Sequence, residues 1–266
     1  MGNKILFIGT GVMSEGLIKE ILREKKAKPE DIIVNNRTPA RMDYISKVYG
    51  VNSCKDVKKG IEAADAVIIG VKPQDVSDVL DVITQSNNKE ALIISIAAGK
   101  TISDLEEKLG CERKLVRVMP NSMVDVKIGY SALCCNAKVT LAEQSFVEEL
   151  MKSIGEIVWI KETMFDAFTG FSCTGPGFVY EFIEALVDAG VYNGISRADA
   201  LNFTLQNLLG ACEMIKKTSE HPTILKENMT SPGGTTITGL KVLNEAGFKG
   251  IVQNAVSKAV KRSREL

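Results

Sequence analysis

Six consecutive residues, Ser231-Pro232-Gly233-Gly234-Thr235-Thr236, combine hydroxyl groups with unusual backbone freedom and carry no recurring apolar side chain. Proline fixes one backbone angle, the paired glycines admit conformations that other residues avoid, and helical apolar spacing (Ile237, Leu240, Val242, Leu243) starts at once. Such a turn presents unpaired backbone N–H groups at a helix N-terminus, a setting that suits a carboxylate or a phosphate. The hydroxyls of Thr235 and Thr236 can hydrogen-bond a ligand or cap the helix. An ordinary interhelical loop with a capping threonine has the same composition, so the decision falls to the rest of the chain.

A second such segment stands near the N-terminus. The apolar run Lys4 to Ile8 leads into Gly9-Thr10-Gly11-Val12-Met13-Ser14 and then an amphipathic pattern through Leu17, Ile18, Ile21 and Leu22. Strand, tight glycine turn and helix in that order match the dinucleotide-binding fingerprint G-x-G-x-x-G/A, with small Ser14 in the third place. Gly9 and Gly11 let the backbone approach a pyrophosphate, which then sits on the helix N-terminus beside Val12 and Met13. The next strand, residues 31–34, ends in Asn35-Asn36-Arg37-Thr38, where a cofactor lacking a ribose phosphate ordinarily meets an acidic residue. Arg37 and the small polar groups beside it, Asn36 among them, can instead bind a 2′-phosphate that a carboxylate would repel. This favours NADP(H), with NADPH preferred and NADH possible; a lone loop arginine is also commonly just a solvated charge.

Alternating elements must position these groups. The run Ala66 to Val71 leads into Lys72-Pro73-Gln74 and a helix through Val79, Leu80 and Ile83; residues 91–96 form another strand, ending in Ala97-Ala98-Gly99. Loops at the carboxyl ends of such strands are where a doubly wound sheet binds ligand, and the small residues 97–99 leave room for a flat ring, though helix–strand packing also favours small residues. A capped helix is expected from Thr101 with Asp104 three residues on. Residues 114–118 and 128–135 read as strands around Met119-Pro120-Asn121-Ser122, followed by a helix over 141–152 and a strand over 156–160. After Lys161 the spacing is helical to the end. The chain thus reads as α/β, with a Rossmann-type doubly wound sheet over residues 1–161 and an all-helical domain over residues 162–266. The helix over 198–215 is apolar on more than one face (Leu201, Phe203, Leu205, Leu208, Leu209, Met214), which subunit association explains and a thick monomeric bundle also would.

Composition narrows the partners. With 33 Lys+Arg against 33 Asp+Glu the net charge is zero, which gives no footprint for nucleic acid. No apolar run is long enough to span a bilayer. Six scattered cysteines without C-x-x-C spacing and one histidine argue against a zinc site or any other metal and fit a reducing cytoplasm. That histidine, His221, precedes Pro222 at a helix break and reads as a surface turn residue.

The segments Gly9-x-Gly11 with Met13, Val71-Lys72-Pro73-Gln74, Ser95-Ile96-Ala97-Ala98-Gly99, Val118-Met119-Pro120-Asn121, Thr174-Gly175-Pro176, Ser231 to Ile237 and the tail Ala246-Gly247-Phe248 through Leu266 follow one another in a known order. In that order and spacing the whole chain resembles pyrroline-5-carboxylate reductase. The resemblance implies reduction of the C=N bond of 1-pyrroline-5-carboxylate to L-proline by NAD(P)H, the last step of proline biosynthesis. It also implies a helical domain that binds substrate and intertwines with a second subunit, as a homodimer and often a decamer, a pentamer of dimers. It places Gly9, Gly11, Val12, Met13, Asn36, Arg37, Val71, Lys72, Pro73, Ala97, Ala98, Gly99 and Asn121 around the cofactor. The N–H groups of Gly233, Gly234 and Thr235, with the Ser231 hydroxyl, would hold the substrate carboxylate, and Thr236 would place its hydroxyl near the imine nitrogen. Departures are Ser172-Cys173-Thr174 where the family has Ser-Gly-Ser, Gly177-Phe178 where Ala-Tyr is usual, and Ser122-Met123 where Thr-Pro is common; they bear on substrate preference more than on the reaction.

Three other readings compete. A β-hydroxyacid dehydrogenase would need a lysine base deep in the helical half, whereas Lys216, Lys217, Lys226 and Lys241 fall at positions that look like exposed faces or helix ends. A non-catalytic NADP-binding paralogue would be expected to have lost Thr236 or the double glycine. A reductase of a related cyclic imine, such as a six-membered ring, is compatible with the same residues as pyrroline-5-carboxylate reductase.

Overall fold

Four-residue apolar runs set the frame of the protein, a computed structural model that describes residues 4–121 and 123–265; Ser122 and Leu266, named above, lie outside the described residues. In chain order the elements are β1 (Ile5–Ile8), α1 (Val12–Arg23), β2 (Ile32–Asn35), α2 (Pro39–Tyr49), β3 (Asn52–Ser53), α3 (Val57–Ala63), β4 (Ala66–Ile69), α4 (Val76–Gln85), β5 (Leu92–Ser95), α5 (Ile102–Leu109), β6 (Leu115–Pro120), β7 (Gly129–Cys135), α6 (Leu141–Met151) and β8 (Gly155–Trp159). β1, β4 and β5 are buried along their whole length, as strands covered by helices on both faces must be. The sheet has eight strands in the order β3-β2-β1-β4-β5-β6-β7-β8. Ile5 pairs with Ile32 on one side and Ala66 on the other, both parallel, and the direction reverses only at the antiparallel β6–β7 pairing.

Alternate side chains along each strand feed two separate cores, one on each face. Ile5 and Phe7 pack with Leu17, Ile18 and Ile21 of α1 and Met42 and Ile45 of α2. Leu6 and Ile8 pack with Ile61 of α3, Val76, Leu80 and Ile83 of α4 and Leu105 of α5. The expected doubly wound arrangement is what the sheet shows. Local chemistry starts the helices: Thr101 with Asp104, and Thr140 with Glu143, each form a reciprocal capping box at the N-terminus of α5 and α6. Glu162 accepts the Ile102 N–H at 2.7 Å and the Arg117 guanidinium at 2.9 Å, and Arg117 stacks 4.4 Å over the Phe165 ring.

The remaining helices are α7 (Phe165–Phe168), α8 (Gly175–Tyr192), α9 (Arg197–Thr218), α10 (Pro222–Asn228), α11 (Thr235–Glu245) and α12 (Phe248–Ser263), with a short π-helical stretch over Thr169–Cys173. Two compact units result: Met1–Cys173 with Val260–Leu266, and Thr174–Ala259. The division thus falls beyond the residue-161 boundary expected from the change of period, and the end of α12 returns to the first unit. In the second unit α8 and α9 approach closely at Gly190, where a Cβ would stand 2.9 Å from that of Ala200. The break at His221 is as expected, with helix α10 starting directly after it: the ring Nδ1 accepts the Thr223 N–H at 3.2 Å and so caps the helix. Among the described residues no helix is long and apolar enough to cross a membrane.

Candidate active site

A parallel sheet whose strand order reverses between β1 and β4 leaves a crevice at their carboxyl ends. Such a cleft, of about 420 Å³, opens in the first unit and is lined by Gly9, Thr10 and Gly11 after β1, by 35–38 after β2, and by Val71, Lys72, Gln74, Asp75 and Asp78 around the β4–α4 turn. Two glycines shape it in different ways. Gly9 has φ +90°, and a Cβ there would lie 2.7 Å from Val71 and 2.8 Å from the Gly70 backbone, so no other residue fits. Gly11 precedes α1 in extended conformation without a side-chain cap, and a Cβ on it would meet nothing within 4 Å. The space beside Gly11 is therefore open, and the first N–H groups of α1, from Val12 and Met13 on, lack intrahelical acceptors. An open cradle at an uncapped helix N-terminus fits a dinucleotide pyrophosphate.

Side chains hold this cradle in place. Asn36 Nδ2 donates to Thr10 Oγ1 at 2.7 Å, its Oδ1 accepts the Thr38 N–H at 2.9 Å, and Arg41 Nε donates to the Thr10 carbonyl at 2.8 Å. Arg41 also pairs with Glu15, which accepts the Tyr49 hydroxyl at 3.0 Å. Burial, and then that bond to Glu15, push the Tyr49 phenol up to about 12. Asn36 thus lines the cleft while one of its two amide N–H groups, bonded to Thr10, fixes the glycine turn. Arg37 remains 88% exposed, with its Nη1 3.7 Å from Asp75 Oδ1.

The structure gathers Gly9, Gly11, Asn36, Arg37, Val71 and Lys72 into this one cleft. It does not bring Val12, Met13, Pro73, Ala97, Ala98, Gly99 or Asn121 to its lining. Met13 packs against the core, Pro73 opens a single 3₁₀ turn, and Ala97 is buried. Gly99, at φ +71°, lines a separate cleft of about 390 Å³ with Thr101, Arg117, Glu162 and Asp166. Asn121 is buried and organises its own turn, accepting the Met123 N–H at 3.2 Å. Gln74, of the Val71–Gln74 segment, also lines the cleft, as do Asp75 and Asp78, which no fingerprint spacing marks because only the adjacency of β1 and β4 brings them there.

In the second unit the Ser231–Thr236 segment is a tight turn running directly into α11. Gly233 has φ +67°, and the Gly234 N–H donates to the Ser231 carbonyl at 3.0 Å. That bond engages the Gly234 N–H within the turn, so the donors open to an anion are the Gly233 N–H and the first-turn groups of α11, Thr235 and Thr236 among them. Gly234 matters through space instead, since a Cβ on it would lie 2.4 Å from Ser231 Oγ. Thr238 Oγ1 donates to the Gly234 carbonyl at 2.9 Å, which leaves the Thr235 and Thr236 hydroxyls out of that closing bond. Cys173, the family departure, donates its thiol to the Pro120 carbonyl at 3.7 Å, and burial pushes it up to about 12, so it stays protonated. Among the described residues no three His, Cys, Asp or Glu side chains gather to hold a metal ion.

Comparisons with known proteins bear on both units. Residues 162–266 match the family model for pyrroline-5-carboxylate reductase dimerisation, and residues 4–99 match that for the coenzyme F420-dependent NADP oxidoreductases. The chain is 37% identical over 266 residues to the pyrroline-5-carboxylate reductase of Synechocystis, covering 100% of this chain and 99% of that protein. The Escherichia coli reductase is 36% identical over the same span, again with 99% of that protein covered. Among solved structures, the Plasmodium falciparum pyrroline carboxylate reductase with NADP bound superposes with a TM-score of 0.88 at 35% identity, covering 99% of this chain and 97% of that one. The Streptococcus pyogenes enzyme gives 0.90 at 34% identity, with 100% and 99% covered.

Proposed function

This chain belongs to the pyrroline-5-carboxylate reductase family, and on that premise we propose how its two units share the reaction. The protein is an NADP(H)-dependent oxidoreductase that reduces the C=N bond of 1-pyrroline-5-carboxylate to give L-proline. The carrying observation is the likeness over the full length of both chains, which takes in the glycine cradle of one unit and the proline–glycine–glycine turn of the other.

NADPH, when bound, supplies a hydride to the imine carbon. The protein's own residues bind and orient. Gly9 and Gly11 admit the pyrophosphate to the N–H groups of Val12 and Met13, and Arg37 takes the 2′-phosphate. Val71, Lys72 and Pro73 border the dinucleotide, and Ala97, Ala98, Gly99 and Asn121 shape the nicotinamide end. In the second unit the α11 N-terminus, with Ser231, Gly233 and Thr235 in the turn that Gly234 closes, anchors the substrate carboxylate, the favourable placing of an anion on that helix end. Thr236 orients the imine nitrogen, which already carries its proton when the carbon gains hydride; the neutral amine so formed then takes a proton from solvent. An imine protonated near neutral pH is already electrophilic, so positioning carries most of the acceleration. The hydroxyacid dehydrogenase reading weakens, because Lys216 and Lys241 are exposed and paired with Glu213 and Glu245 on their own helices.

The second unit also carries the subunit contact, as a homodimer with a pentamer of dimers as its higher assembly. Exposed apolar side chains such as Phe203, Leu209, Val242 and Ile251 support this reading. Six free thiols fit a cytoplasmic setting. The test is oxidation of NADPH and NADH followed at about 340 nm with 1-pyrroline-5-carboxylate, the product identified as L-proline. Thr236→Val is expected to lower kcat about 100-fold while NADPH affinity stays nearly constant. Unimpaired turnover in that variant removes Thr236 from the mechanism, and cofactor binding without any turnover shifts the substrate to a related cyclic imine.

A further inference from the structure

We propose that Asp75 is a specificity-determining residue whose carboxylate competes with the 2′-phosphate of NADPH for Arg37 and so narrows the preference for NADPH over NADH. The inference rests on the reading of Arg37 as the 2′-phosphate ligand.

Asp75 stands at the start of α4, where a carboxylate ordinarily accepts a first-turn N–H, yet its side chain makes no capping bond. It turns instead across the mouth of the cleft, with Oδ1 3.7 Å from Arg37 Nη1. That separation is a charge contact without a hydrogen bond. The pair joins the loop after β2 to the turn after β4, the two sides between which an adenosine ribose would lie. Asp78, one turn into α4, lines the same cleft. Among the described lining residues the cations Arg37 and Lys72 are thus matched by the carboxylates Asp75 and Asp78, and the mouth is neutral.

A neutral mouth treats the two cofactors differently. The ribose 2′-hydroxyl of NADH carries no charge, so it neither competes for Arg37 nor is repelled by Asp75. A phosphate monoester carries about −1.5 to −2 charges, must draw Arg37 away from Asp75 and then lies beside an unpaired carboxylate. Because Arg37 is 88% exposed, the pair contributes little to folding, and removing Asp75 exposes the effect on the cofactor itself.

The test uses the full chain, with rates and fluorescence titrations for NADPH and NADH, and with adenosine 2′,5′-bisphosphate against AMP as probes that need no turnover. Asp75→Asn is expected to lower KM and Kd for NADPH and for the bisphosphate about two- to fivefold, with NADH and AMP unchanged. The gain shrinks as salt rises and disappears when Arg37→Ala is also present. Arg37→Ala alone is expected to weaken NADPH and spare NADH. If it does so while Asp75→Asn leaves NADPH unchanged or weaker, competition by Asp75 is overturned and the Arg37 reading stands. A gain that persists in the Arg37→Ala background overturns the competition as well. If Arg37→Ala alters both cofactors equally or neither, the Arg37 reading falls and this inference falls with it.

Discussion

The two units reach stability by different means. In the first, strands buried on both faces feed two cores, and almost every large apolar side chain of the sheet is fully covered by its own unit. In the second, long helices of equally apolar composition cover little: Val187, Ala200 and Thr204 are its buried residues, while Phe203, Leu209, Val242 and Ile251 are 56%, 61%, 63% and 60% exposed. Apolar area left in water stabilises nothing. The contrast is that the first unit buries its own apolar surface, whereas the second, which matches the family's dimerisation model, leaves apolar helix faces bare.

Charges placed on the bare helices test the contrast most severely. Phe203→Glu with Leu209→Glu is expected to weaken association at least about 30-fold, read as a monomer by sedimentation and accompanied by loss of activity. A variant that keeps its size and rate would show that these faces need no partner. A cavity in the sheet sharpens the other side. Ile68→Ala should cost about 2–5 kcal/mol, independent of protein concentration, whereas melting of the second unit in the unaltered protein should rise with concentration; denaturant unfolding at two concentrations checks both. The smallest effect is electrostatic. The Thr101 N–H, and then its hydroxyl, hold the Asp104 carboxyl below its usual range. A lowered folded value means that the stabilisation is present above the unfolded value, about 3.9, and is lost as pH falls through the folded one. Asp104→Asn should therefore flatten the acid limb of first-unit stability between about pH 2 and pH 5, and urea midpoints identical to those of the unaltered protein would sink the assignment.

Much of this was legible in the sequence because local necessity wrote it there. Gly9 is readable because its φ and its contact with Gly70 exclude a side chain, and the Thr101 box because its two residues are neighbours. The helical change of period after Lys161 was legible too. What escaped depends on sheet order: Asn36 meets Thr10, and Arg37 meets Asp75, only because β1 lies between β2 and β4. β3 is two exposed residues, too short to show any alternation. The use of the Gly234 N–H inside its own turn could not be read from composition, since the same residues serve an open turn equally well.

One feature of the chain path bears on how the protein is made. The Asp166 carboxylate accepts a 2.9 Å bond from the Ser263 hydroxyl, a partner 97 residues further on, and a Cβ on Gly170 would press within 2.4 Å of the Val260 backbone. During synthesis, the sheet emerges from the ribosome well before the turn of helix that finishes its unit. At about 5–20 residues per second, the nascent first unit waits several seconds, its docking place for α12 open, while the whole second unit is translated. The order of assembly is therefore interleaved rather than sequential: neither unit is finished until α12 has left the exit tunnel.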